Sequence, residues 1–456
     1  MPAREKLKSG ISQHTLPNYV YGYPSKRTYR GFEHPFKVKD IWGAQELSDE
    51  LNIYLHIPFC HYRCTYCTLF LTTRHSPELI DAYVDKVCEA IRMYGQYTGH
   101  RRVASIYFGG GTPTILTLTQ FERIFATLHD KFPHVADNAE ISVEGSPDSM
   151  SSATLDCLKR VGVNRISMGL QSMHPRELKH AGRPYPVETA IDAIKQIQTR
   201  FGHLNLDLIY GLTGQTRATW QKSLEQVLSF KPTTLSLYPV VARPLTQIKK
   251  QLDRGKVLDQ VAETIFTDKD KYDIYDENVA MLRQFGYRQE SFTRFTLLSD
   301  KDAYMQESLD FLGVPLLGIG TGARSYVGPY HYSTDYAVAR AEANRIIEEF
   351  LKVDFNEELV IERGIVLDEE EQRRRFVVLN LTLSHLSAQT YQQRFQRSLL
   401  EDFGEELAAM QEYGCIHLSE SGHWNLTDLG FKFSSLLASL FFSEHMLRLE
   451  EEYEHR

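Results

Sequence analysis

Six short runs rich in β-branched and aromatic residues, NIYLHI, ASIYF, AEISVE, RISMGL, LNLDLIY and TLSLYPV, recur between residues 52 and 240 with helical patterns between them. Runs of that length and composition read as buried strands. In the first intervening segment Ile80, Val84, Val87 and Ile91 keep an i, i+4, i+7, i+11 spacing, and Ile191, Ile194, Ile197 and Phe201 repeat the stripe further on. A helix with one apolar stripe must bury it against a sheet. Parallel strands are joined by such crossovers, which are almost always right-handed. The alternation therefore predicts an α/β fold, a partial parallel barrel of six βα units.

Parallel barrels carry their chemistry beyond the carboxyl ends of the strands, where side chains from many strands converge. The polar residues of this chain fall there. Cys60, Cys64 and Cys67 form a C-x3-C-x2-C run in YLHIPFCHYRCTYCTLF, directly after the first strand. GGGTPT follows the second strand, Glu144 ends the third, Gln171 follows the fourth and Asp207 lies within the fifth. A disulfide framework needs dispersed, even-numbered cysteines, and structural zinc takes four ligands. Three thiolates on one loop suit a 4Fe-4S cube with one iron left open. An open iron can chelate the amino and carboxylate groups of S-adenosylmethionine (SAM) and pass an electron to its sulfonium, leaving a 5'-deoxyadenosyl radical. A zinc alternative would recruit His56 or His61. Cys88, Cys157 and Cys415 are isolated and read as packing residues. Six cysteines in 456 residues, half of them on one loop, suit a reducing, cytoplasmic compartment.

Lys and Arg number 51 against 59 Asp and Glu, so the net charge of -8 gives no general attraction to nucleic acid or to an acidic membrane. The start MPAREKLKSGISQH has no apolar signal core, and LLASLFF falls short of the roughly 20 residues that span a bilayer. Neither nucleic acid nor membrane is expected as a partner. Three parts are expected: an irregular N-terminal extension over 1–48, the barrel over 49–335, and a C-terminal helical, winged-helix-like domain over 336–456. In the last, the charged segments LDEEEQRRRFVVLNLTL and EDFGEELAAMQEYG precede two strand-like runs about a Ser-Gly turn in CIHLSESGHWNLTDLG. It is rich in Glu and lacks a basic recognition helix, so a lid or scaffold role is expected rather than DNA contact.

YLHIPFC-x3-C-x2-C, GGGTPT, RISMGLQS, LDLIYGL and LGIGTGARSY together resemble the oxygen-independent coproporphyrinogen III oxidase-like branch of the radical SAM superfamily, over most of the chain. The resemblance implies that Cys60, Cys64 and Cys67 hold a 4Fe-4S cluster and that Tyr54, Gly110 and Glu144 surround the SAM that is cleaved. It implies that Tyr66, Gly111, Thr112, Gln171, Arg183 and Asp207 hold a second SAM. Arg183 as a plain surface cation and Asp207 as a loop cap are the bland alternatives. A small-molecule substrate, a flavodoxin or ferredoxin as electron donor and a monomeric state are also implied. The chain departs from the oxidases at Leu69, where they carry a further cysteine, at Thr213, where Pro is customary, and in MQESLDFLGVPLLGIG. YPVVARPLT and GARSYVGPYHYSTDYAV look like marks of a side group. Several relatives with two SAM molecules are C-methyltransferases. The expected activity is thus a radical SAM enzyme that uses the second SAM for methyl transfer or C-C bond formation on an sp2 carbon. Porphyrinogen oxidative decarboxylation and a haem-binding chaperone role are the alternatives.

Overall fold

The computed structural model describes residues 2–14, 19–20, 22–43, 48–241, 243–244, 246–253, 267–300 and 304–453. All six expected strands are present: β2 (Glu50–Ile57), β3 (Arg102–Gly110), β4 (Val135–Gly145), β5 (Arg165–Gln171), β6 (His203–Tyr210) and β7 (Thr234–Pro239), with β1 (Arg30–Lys37) preceding them. They pair in sequence order, each parallel to the next. At one edge β10 (Leu316–Ile319) joins β2 in parallel, followed by β11 (Arg324–Val327), β12 (Tyr330–Ser333), β13 (Val360–Val366) and β1, all antiparallel. At the other edge β9 (Arg294–Leu297) and β8 (Tyr287–Gln289) add antiparallel to β7. β2 and β7 do not pair, so the barrel is partial.

The strands are apolar on one face and polar on the other. Leu51, Ile53, Leu55 and Ile57 of β2, Ile166, Met168 and Leu170 of β5, and Leu204, Leu206 and Leu208 of β6 belong to one large buried core. The helices Pro77–Thr98, Leu118–Lys131, Ser152–Arg160 and Val187–Gln198 fill it from the other side. Ile80, Val84, Val87 and Ile91 are buried as their spacing predicts, as are Ile194, Ile197 and Phe201, whereas Ile191 is only partly buried. The alternate residues turn inward. Asn52, Tyr54 and His56, then Ser105 and Tyr107, Glu140, Ser142 and Glu144, Arg165 and Ser167, and Asn205 and Asp207 make a barrel interior far more polar than packing alone requires.

The C-terminal part follows the expected order. Helices Glu369–Thr382, Ala388–Phe395 and Leu399–Glu412 precede a hairpin of β15 (Ile416–Leu418) and β16 (His423–Leu426), which β14 (Leu386–Ser387) completes. The N-terminal segment, in contrast, is not an irregular appendage. Its helix Ala3–Gln13 buries Leu7 in the C-terminal core, Tyr23 donates to Glu371 at 2.6 Å, and β1 pairs with β13. The sheet therefore runs across the boundaries expected at residues 48 and 335. No described helix is long and apolar enough to cross a membrane.

Candidate active site

Tyr54, Tyr107 and Glu144 come from three adjacent strands at one level of the interior, with Tyr54 paired to Tyr107 in register. Glu144 accepts from the Tyr107 hydroxyl at 2.8 Å and from the Gly110 N–H at 3.2 Å. Burial, with a smaller push from Asp207, raises its carboxyl to about 7 against the pull of those two donors and of Arg165. His56 Nε2 lies 3.0 Å from the Phe70 carbonyl, which can only accept, so Nε2 carries the proton. Nδ1 must then accept from Tyr54 Oη at 3.1 Å. Burial lowers His56 to about 4, so this neutral tautomer holds at physiological pH. Both ring nitrogens are engaged, which leaves His56 with no free lone pair for a zinc ion.

The cysteine loop is closed at its neck, where Cys60 N–H donates to the Thr72 carbonyl at 3.0 Å and Thr72 N–H to that of Pro58 at 2.7 Å. The glycine-rich loop is threaded beneath it: Gly111 N–H donates to Ile57 and Thr112 N–H to Phe59, each at 2.8 Å. A Cβ at Gly111 would stand 2.6 Å from the Phe59 carbonyl oxygen. Gly110 has φ +115° and its Cβ would strike the His56 ring at 2.7 Å. The protein's own packing thus demands these glycines. The Thr112 hydroxyl lies 3.3 Å from Cys60 Sγ. Gly111 and Thr112 are thus anchored to the cysteine loop. Tyr66 stands beside Cys64 and packs on Ile209, Leu212, Val240 and Ile248.

Gln171, Arg183 and Asp207 do come together, around Gly169. Arg183 is 7% exposed, which rules out a surface cation. It donates to the Gly169 carbonyl at 2.6 Å, Ser146 Oγ at 3.0 Å, Tyr185 Oη at 2.7 Å and Cys64 Sγ at 3.4 Å. Asp207 sits opposite Gly169 in mid-strand, facing inward and accepting from Asn205 at 2.7 Å, so it caps no loop. Gln171 has φ +71°, and its Oε1 is buried with no hydrogen-bond partner among the described residues. Sequence reasoning missed Tyr107 and the Tyr54–His56 pair. A period-two alternation along the first two strands is the signal that would have found both.

The donor set fits an iron-sulfur cluster with SAM beside it. Among the described residues no three His, Cys, Asp or Glu side chains are placed to share a single metal ion. A cube asks less, because each thiolate takes its own iron. Burial pushes the Cys60 thiol up to about 12 and that of Cys67 to about 11, so neither is a free nucleophile at neutral pH, and metal uptake deprotonates them. Arg183, a buried guanidinium without a carboxylate partner among the described residues, and the orphaned Gln171 Oε1 call for a bound group that carries negative charge and a donor.

A partial barrel with three cysteines on the loop after its first strand defines a radical SAM protein, and the radical SAM superfamily profile matches residues 54–227. A second profile, for the HemN C-terminal domain, matches residues 367–433, and the chain belongs to the HemN-like branch of that superfamily. A 4Fe-4S cluster and SAM are therefore its cofactors. It is 27% identical over 425 residues to the oxygen-independent coproporphyrinogen III oxidase of Synechocystis, covering 87% of this chain and 86% of that one. The heme chaperone HemW of the same organism is 31% identical over 282 residues, 60% of this chain and 65% of the relative. The solved structure of Escherichia coli coproporphyrinogen III oxidase (HemN), described there as a radical SAM enzyme, aligns with a TM-score of 0.75 at 25% identity over 93% of this chain and 96% of that one.

Proposed function

We propose that this radical SAM enzyme oxidises a small organic molecule by abstracting a hydrogen atom from carbon, the substrate radical then giving its unpaired electron to an external one-electron acceptor, with two SAM molecules held in the barrel mouth. The carrying observation is the presence of two separate polar sets in one interior: Glu144 with Tyr107, Gly110 and Tyr54, and Gln171, Arg183 and Asp207 around Gly169. Cys60, Cys64 and Cys67 would hold the cluster, which when bound supplies the electron that cleaves SAM to methionine and a 5'-deoxyadenosyl radical. Glu144 would accept the ammonium of the cleaved SAM, and Tyr54, pinned by His56, would line its site. Arg183 would pair with the carboxylate of the second SAM in a charge-assisted bond, Gln171 would accept a donor from it, and Asp207 would accept from its ribose. The electron would come from a flavodoxin- or ferredoxin-type donor. Residues 49–335 would form the catalytic unit and 336–456 its scaffold.

Oxidation is favoured over methyl transfer because relatives that match along most of their length carry the name coproporphyrinogen III oxidase, and none of those described supports methylation. Leu69 is 50% exposed, so the side chain that replaces the oxidase cysteine stands in solvent and marks a departure in substrate or electron path. Anaerobic turnover with methyl-deuterated SAM is the test. Unlabelled 5'-deoxyadenosine without S-adenosylhomocysteine is expected. Deuterium in 5'-deoxyadenosine together with S-adenosylhomocysteine would overturn oxidation in favour of methyl transfer. The identity to HemW favours haem binding as the second reading, which predicts tight haem uptake with no turnover.

The two sets also predict separable defects. Asp207→Ala should leave 5'-deoxyadenosine formation within about threefold of wild type while lowering product at least tenfold, since only the second set loses a partner. Equal losses in both products would show that one SAM touches both sets.

A further inference from the structure

Two stretches that mark a side group, VARPLT at residues 241–246 and GARSYVGPYHYSTDY at 322–336, and the N-terminal YGYPSKR at 21–27 are distant in sequence. Their described residues meet at the barrel mouth. Lys26 Nζ lies 2.9 Å from the centre of the Tyr336 ring. Tyr336 in turn donates to the Thr68 carbonyl, one residue beyond Cys67, at 2.7 Å. The Arg243 guanidinium stands 6.0 Å from the Tyr19 ring, which packs at 5.9 Å on Tyr238, the inward neighbour of Asp207's strand. Arg324 begins β11 beneath Gly22, with its guanidinium 5.8 Å from the Tyr326 ring.

Like charges gathered in a partly buried place repel, and the repulsion is tolerated where something negative is meant to enter. Lys26 is close enough to Arg324, Arg243 and Arg27 to feel their charges, and Cys67 acts on it in the opposite sense. Among the described residues neither Lys26 nor Arg243 has an Asp or Glu partner, and both lie over tyrosine faces, an arrangement that holds a cation without neutralising it.

We infer that Lys26 and Arg243, with Arg324 at their base, form the substrate's anion pocket, taking a dianionic group such as a phosphate or paired carboxylates while Tyr19, Tyr238 and Tyr336 wall the body of the molecule. The inference rests on the proposed function for the idea that substrate enters this mouth. It assigns specificity to side chains outside both polar sets described above.

The test is calorimetric titration of the cluster-loaded full chain with pyrophosphate and, separately, with tricarballylate, both without SAM so that neither result bears on the two-SAM reading. Wild type should bind at least one of them saturably. The probe that binds names the source, phosphate or carboxylate. The K26Q/R243Q variant should bind it at least tenfold more weakly, and the charge-keeping K26R/R243K variant within about threefold of wild type. Absence of saturable binding of both probes to wild type, or unchanged affinity in K26Q/R243Q, overturns the pocket. If K26Q/R243Q fails to fold, weak binding by K26R/R243K or its absence in wild type still does so.

Discussion

Replacing Cys64 with alanine is expected to remove the cluster and with it all reductive cleavage of SAM, a loss of at least about a thousandfold in 5'-deoxyadenosine formation. The three thiols come from one loop whose neck is fixed by the Cys60–Thr72 and Thr72–Pro58 hydrogen bonds. Among the described residues no other Cys, His or carboxylate joins two of them as a substitute ligand. Cys64 is also the thiol to which Arg183 donates at 3.4 Å, so its removal strands a buried cation next to the cluster site. Iron and acid-labile sulfide should fall from about four each per chain to below about one. Full loading in the variant, or one zinc per chain with no sulfide, would refute the assignment.

The second large effect concerns Glu144 and pH. Its carboxyl lies near 7 in the folded chain against an ordinary 4.5, so ionisation is disfavoured by burial, by about 3 kcal/mol. The sign follows from linkage. A raised acid weakens the fold progressively as pH climbs from 4.5 through 7, and a bound ammonium relieves that penalty by favouring the ionised form. SAM affinity should therefore rise up to tenfold per pH unit between about 5.5 and 7 and flatten above 7.5. Glu144→Gln should abolish the slope and weaken SAM binding at pH 8 by ~100-fold, the usual loss when a buried charge pair is broken. Titrations at several pH values decide it, and a slope that survives in the glutamine variant assigns the proton to another group.

Much of this was legible because the barrel's two faces impose a strict period of two. Inner polar residues alternate with outer apolar ones, as Asn205 and Asp207 do with Leu204, Leu206 and Leu208, so the strands stood out as short β-branched and aromatic runs, and the cysteine run followed from its place after the first of them. What stayed hidden depends on non-local pairing. β1 contains Pro35, which reads as a loop signal, yet it is tolerated because β1 is the edge strand and its register with β13 is irregular between Gly31 and Phe36. β8 to β12 have only three or four residues each, too few to carry a period. The anchoring of Gly111 and Thr112 to the cysteine loop is also non-local, and adjacency in GGGTPT does not show it. Lys26 and Arg243 could not be joined from sequence at all.

The pairing of β1 with β13 also has a consequence in time. β1 ends at Lys37 and its partner begins at Val360, so on the ribosome the strand has nothing to pair with until nearly the whole catalytic barrel has been made, roughly 15 to 60 s later at ordinary elongation rates. The six parallel strands and the cysteine loop are all synthesised within that interval. The segment bearing Lys26, which leads into β1, therefore gains that strand's sheet anchor only after the cysteine loop has been made.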